Sequence, residues 1–314
     1  MKDLHSYVPE AEQLEHKQRP TSRELWEDLA VLDAGNAYRI LAARGEDFTV
    51  GEDFFLRCPI PTEHRPLLAA LSPRSPRLLL PTRDGRTLLL FAEGAALTGL
   101  VLAVRLPLPP TATLRALHFL NSDDLLFPAA LSPKKDPSPR VEDEEVCRRL
   151  SEVLYYLNRI LAPGSRVGLW TRCLLIANFT GCPLDRASLP TQVPPLGDYD
   201  EARLRFFLLC AFLSLRGSAG SIGARGDALP LSPATPLYRC RVTLSPTEPL
   251  ADATPPIAAP IPFLTAPCFA DLLTVTDEKG LRMEVALPVS HNREGLRASG
   301  PAYGVRLCIF IEKT

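Results

Sequence analysis

The chemistry-bearing residues of this chain are eight cysteines, five histidines and a balanced set of carboxylates and bases. Cys58, Cys147, Cys173, Cys182, Cys210, Cys240, Cys268 and Cys308 form no CxxC pair, and most sit in apolar runs such as FLLCAFL and RLCIF. Zinc ligands come in closely spaced pairs, so these read as free, buried thiols of a reducing compartment. The histidines form neither HxxxH nor HExxH. No GxSxG is present, and His118 and His291 have no catalytic signature around them. Asp123-Asp124 could supply metal carboxylates, but no third ligand lies near in sequence, and a turn or helix cap explains them more simply. The glycine-rich run from Gly217 to Gly226 lacks GxxxxGK[ST] and follows a helix pattern rather than a strand, which makes it a connection and not a phosphate loop.

The elements that would have to position such groups can be read along the 314 residues. Residues 1–21 are polar and lack an apolar signal core, which gives the expectation of a mobile arm on a cytoplasmic protein. Ser22-Arg-Glu-Leu, with Leu25, Trp26, Leu29 and Leu32 at helical spacing, predicts a helix. Apolar runs follow at Tyr38–Ala43, Arg77–Pro81, Thr87–Ala92, Leu97–Val104 and Leu114–Leu120. Asp84-Gly85 between two of them is a hairpin signal. Residues 22–131 therefore read as a small antiparallel sheet with flanking helices. The stretch 132–141 carries three prolines and a basic pair, is followed by the acidic run at 142–145, and reads as a linker.

Beyond it, Glu142 to Leu161 predicts a helix with Val146, Leu150, Val153, Leu154, Leu157 and Leu161 on one face. Further helices are expected at about 166–179 and 201–216, the latter apolar nearly all round. A helix at about 268–276 and strands at 182–189, 228–231, 237–245, 281–289 and 303–312 complete the reading. The formal net charge of -1 excludes polyanion binding by bulk electrostatics. The apolar stretch Leu204 to Leu215 is too short to cross a bilayer.

Two stretches carry a family resemblance. LPTQVPPLGDYDEARLRFFLLCAFLSLR is similar to the strand, loop and asparagine-bearing helix of sensor histidine kinases, whose ATPase half is shared with Hsp90-type chaperones. FADLLTVTDEKGLRMEVALPV is similar to that family's last helix, glycine turn and final strand. The resemblance implies an α/β (α+β) chain. Residues 22–131 would be a PAS- or GAF-like sensor domain, and residues 142–314 a histidine-kinase-type ATPase-like sandwich.

The same resemblance implies that the chemistry is lost. It places Cys210 and Ser214 where the family carries two asparagines, one of them a magnesium ligand. Asp252 is followed by alanine and prolines rather than the glycines of the family's Asp-x-Gly-x-Gly turn, and Leu264 to Cys268 replaces the second glycine box. No histidine lies in the helix from Glu142 to Leu161. The expectation is a non-catalytic signalling protein without cofactor or metal, working by ligand sensing and contacts with an unidentified protein partner. Leu150, Leu154 and Leu157 would be a homodimer face, unless the helix packs within its own chain. Two alternatives stay open: a weak nucleotide-binding protein or ATPase with atypical ligands, and a structural interaction module.

Overall fold

The structure is a computed structural model that describes residues 28–45, 47–71, 76–92, 98–120, 125–131, 141–161, 169–181, 184–188, 198–215, 222–232, 235–246, 263, 266–269, 273–277, 280–288 and 304–310. The described residues form a mixed α and β chain with two six-stranded mixed sheets.

The first sheet is built from runs that are apolar at consecutive positions, because both of its faces are covered. Its strands are β1 (Asp28–Asp33), β2 (Arg39–Arg44), β3 (Arg77–Pro81), β4 (Thr87–Phe91), β5 (Leu100–Leu106) and the short β6 (Leu125–Leu126). The spatial order is β2-β1-β5-β4-β3-β6, antiparallel throughout except that β6 runs parallel to β3. Alternation sorts each run between two cores. Leu29, Val31, Leu79, Leu89, Phe91, Leu102 and Val104 join one cluster. Ala30, Leu32, Leu78, Leu80, Leu88, Leu90, Val101 and Ala103 join the other.

The second of these cores is closed by the connection from β2 to β3. This connection holds the short helix α1 (Phe54–Arg57) and a 3-10 segment (Thr62–Ala70). Asp53 caps α1 by accepting a bond from Phe55 N at 2.8 Å. Phe54, Phe55, Cys58 and Ile60 are buried there.

The opposite core is closed by four helices: α2 (Pro110–Phe119), α3 (Val141–Leu161), α4 (Leu169–Thr180) and α5 (Asp198–Leu215). Buried arginines tie them together at their ends. Arg172 donates to Ile160 O at 2.9 Å and Arg205 to Leu161 O at 2.8 Å, so guanidinium charge meets the negative end of α3. Arg44 on β2 donates to Thr180 O at 3.3 Å, at the end of α4. Phe263 and Phe269 stack edge-on against Phe207 of α5.

The second sheet comprises β7 (Leu184–Ser188), β8 (Ile222–Ser232), β9 (Thr235–Pro246), β10 (Leu273–Asp277), β11 (Gly280–Pro288) and β12 (Gly304–Phe310). Its order is β10-β11-β12-β9-β8-β7, with parallel pairs at β12/β9 and β7/β8.

Two sequence expectations are corrected, and one apolar run left open is assigned to a helix. Leu29 and Leu32 lie on a strand, not a helix. β1 sits between β2 and β5 and is buried along all its length, so its apolar residues face both ways and mimic helical spacing. The run at Leu114 to Leu120 lies largely in helix α2, with Pro110 at its start and exposed Arg115 and His118 three apart on one face. The helix expected at 268–276 is a 3-10 turn at Pro267–Phe269 followed by strand β10.

Candidate functional site

Arg105 is the residue around which a site can be built. It is the last polar position of β5 on the face shared with Val101 and Ala103, so alternation points its charge into a core. Its direct neighbour across the antiparallel ladder is Asp28 on β1. The two side chains form an ion pair, with 9% of the arginine side chain and 5% of the aspartate side chain exposed. A buried charge without such a partner would be strongly unfavourable, and here the partner comes from the next strand.

A second carboxylate reaches the same guanidinium from outside. Asp47, 64% exposed, accepts a bond from Arg105 Nη2 at 3.0 Å. Phe48 beside it places its ring 5.5 Å from Arg105 Cζ and 5.1 Å from the Phe54 ring. Burial costs Arg105 charge stability, but the Asp47 bond and the Asp28 charge outweigh it and raise its pKa.

Backbone geometry fits the pair closely. Gly45 has φ +143°, and a Cβ there would lie 1.8 Å from Asp28 Oδ1. Only glycine allows β2 to turn away this close to the carboxylate. On the other side the β3/β4 turn is closed by Thr82 N donating to Arg86 O at 3.0 Å, with Gly85 at φ +81°. Asp84 in that turn accepts a hydrogen bond from the Thr82 hydroxyl. Arg83 N donates to Pro59 O at 3.0 Å, which fastens the turn to the residue after Cys58.

Cys58 lies beside Arg105 and is 1% exposed. Burial pushes its thiol up to about 12, against the pull of Arg105. It is a neutral thiol at ordinary pH, and not a nucleophile. The arrangement can hold and orient a carboxylate, but it brings together no nucleophile and base pair.

The residues singled out from sequence lie elsewhere. Cys210 is fully buried on α5 in the apolar core between the helices and the first sheet. Ser214 is near the end of α5, and its side chain falls outside the described residues. Leu150 and Leu157 are buried within this chain's own core, and Leu154 is half-buried against it. Asp123, Asp124 and Asp252 lie outside the described residues. The last part of the glycine-rich run, Ile222 to Gly226, is the start of strand β8. Among the described residues no group of three or more metal-ligating side chains occurs, and no helix is long and apolar enough to cross a membrane.

Arg105 itself carried a faint sequence signal, a charge at the end of LVLAVRL in phase with core positions. Its meaning needs the β1/β5 register, which links residues far apart in the chain.

No family model matches this chain, and no curated protein matches it. Among solved structures it is similar to the Erythrobacter litoralis EL346 blue-light activated histidine kinase. The identity is 12% and the TM-score 0.21, over 64% of this chain and 77% of that one. A likeness of that size leaves the function to be argued from this chain's own residues.

Proposed function

We propose that the chain is a non-catalytic signalling protein in which the first sheet is a PAS- or GAF-like sensor and residues 142–314 are a degenerate kinase-type ATPase region. The observation that carries the reading is the buried Arg105–Asp28 pair beside a core of apolar side chains. A fold needing only stability gains little from a buried ion pair compared with apolar residues of similar size. A fold that reads a charged ligand needs a fixed charge in that place. The loss of kinase chemistry is supported by Cys210. It occupies a position the resemblance assigns to a nucleotide-side asparagine, yet it is fully buried in an apolar core.

The experiment is thermal melting with and without Mg-ATP, beside incubation with radiolabelled ATP. A nucleotide that binds the native state raises the melting temperature by mass action. The expected result is no shift and no label on the protein above a heat-killed control. A shift without label would favour the weak nucleotide-binding alternative, and label on the protein would overturn the non-catalytic reading.

A further inference from the structure

We propose that Asp47 and Phe48 occupy, as an internal stand-in, a ligand site whose fixed end is Arg105 with Asp28, and that its ligand is a small carboxylate with an aromatic or branched apolar body. The inference rests on the sensor reading above and names the ligand class for it.

Asp28 already balances Arg105 from inside the core, so the fold does not require a second carboxylate there. Asp47 nevertheless reaches in from a largely exposed position to the same Nη2 atom. Arg105 Nε is buried and has no partner at hydrogen-bond geometry among the described residues, and the neighbour on that side is the weakly accepting Cys58 thiol, so one donor of the guanidinium fork has no oxygen acceptor. A free carboxylate is not tied to the loop. It can take the place of Asp47 at Nη2 and also engage Nε, the two-pronged contact that guanidinium geometry favours.

The apolar half of the ligand is defined in the same way. The Phe48 ring lies between the Arg105 guanidinium and the Phe54 ring, over a core containing Ile40, Phe55 and Cys58. A ligand ring would take that place once the Phe48 side chain swings out.

The loop is fixed unequally, as a latch requires. Its second half is sewn to β2 by backbone bonds: Ile40 N donates to Glu52 O at 2.9 Å and Gly51 N to Ile40 O at 2.8 Å. Arg39 Nε adds a bond to Gly51 O at 2.6 Å. Among the described residues, the half around Asp47 and Phe48 meets the core through those two side chains, and the Asp47 bond is open to solvent and screened by salt. The outer pair can exchange while the buried Arg105–Asp28 pair stays in place.

Cys58 reports on the latch, since its thiol lies beside Arg105 in the core that Phe48 packs against. Alkylation by iodoacetamide would be followed by peptide mass in the full chain, with Cys173 and Cys210 as buried references in the opposite core. Asp47→Asn should speed Cys58 labelling several-fold and leave Cys173 and Cys210 protected. Binding would be probed calorimetrically with 3-phenylpropionate, against 3-phenylpropanol and propionate. The double variant Asp47→Asn/Phe48→Ala should bind 3-phenylpropionate several-fold more tightly than wild type, and neither control should match it. Unchanged Cys58 labelling, or labelling of all three cysteines together, overturns the latch. Equal binding of the alcohol, or no binding to the double variant, overturns the carboxylate assignment. The sensor reading fails separately, if no compound in a broad neutral and charged panel shifts the melting temperature of either form.

Discussion

At the scale of single residues, Asp28 has two tasks that one substitution separates. It neutralises Arg105, and it fills the space that Gly45 leaves open. Gly45→Ala places a methyl group against the carboxylate in a backbone region that suits glycine, and should cost on the order of 2–4 kcal/mol. Asp28→Ala leaves a buried guanidinium with one exposed partner and should cost about 3 kcal/mol. Because the methyl group of the first variant clashes with the side chain removed in the second, the double variant should be less destabilised than the sum by about 1 kcal/mol or more. Urea unfolding of the four proteins measures this, and strict additivity would show that Gly45 and Asp28 do not share the space.

Asp84 offers a residue-scale test with pH. Burial raises its pKa, but the Thr82 hydroxyl, the Arg86 N–H and the charges of Arg86 and Arg105 outweigh this and hold it below its usual 3.8. A carboxyl with a lowered folded pKa stabilises the fold above its unfolded value, and that contribution disappears as pH falls through the folded one. Asp84→Asn should therefore lower the urea midpoint at neutral pH and converge on wild type in acid, as the pH falls below 3.8 and through the lowered folded pKa. The effect is small because the group is close to half exposed. A variant equally impaired at both pH values would mean that the turn depends on the shape of the side chain and not on its charge.

At the scale of elements, what the sequence could reveal depended on how local the cause was. The β3/β4 hairpin was legible because Asp84-Gly85 acts within the turn itself, and Gly85 has the positive φ that the turn requires. Helix α3 was legible from its stripe, and α5 from its unbroken apolar character. Strand β1 was not, because a strand covered on both faces loses the alternation that identifies one. The candidate site was hidden for a related reason: Arg105 and Asp47 are 58 residues apart, and neither has a local motif.

The α3 stripe also shows the limit of a pattern. It announces burial without saying what covers it, and in this chain Leu150 and Leu157 are covered by the first sheet's helical layer. Leu150→Glu should therefore unfold the protein, seen as lost circular dichroism. A folded variant of lower mass by light scattering would instead return Leu150 to a two-fold contact. The end of α3 gives an independent test. Arg172→Met removes a charged donor from Ile160 O and should cost about 1.5–3 kcal/mol, measured by urea unfolding.

At the scale of the whole molecule, the question is whether the proline-rich stretch 132–141 divides the protein. Its composition invites cleavage at Lys134 or Lys135, and limited trypsin digestion should cut there early. Cleavage and separation are different events, however. Helices α3, α4 and α5, all on the far side of that stretch, are part of one continuous apolar core with β1, β2, β4 and β5. Across this junction Arg77 of β3 donates to Asn158 Oδ1 of α3 at 2.8 Å, and Arg44 of β2 donates to Thr180 O of α4. A shared core of this kind makes the two segments one cooperative unit, because neither can bury its apolar face alone. The nicked protein should elute as a single species in size exclusion under native conditions and melt in one transition. It should come apart only in denaturant. Two fragments eluting separately, each with its own melting transition, would establish two independent domains and would place the helices' stabilising contacts with the second sheet instead.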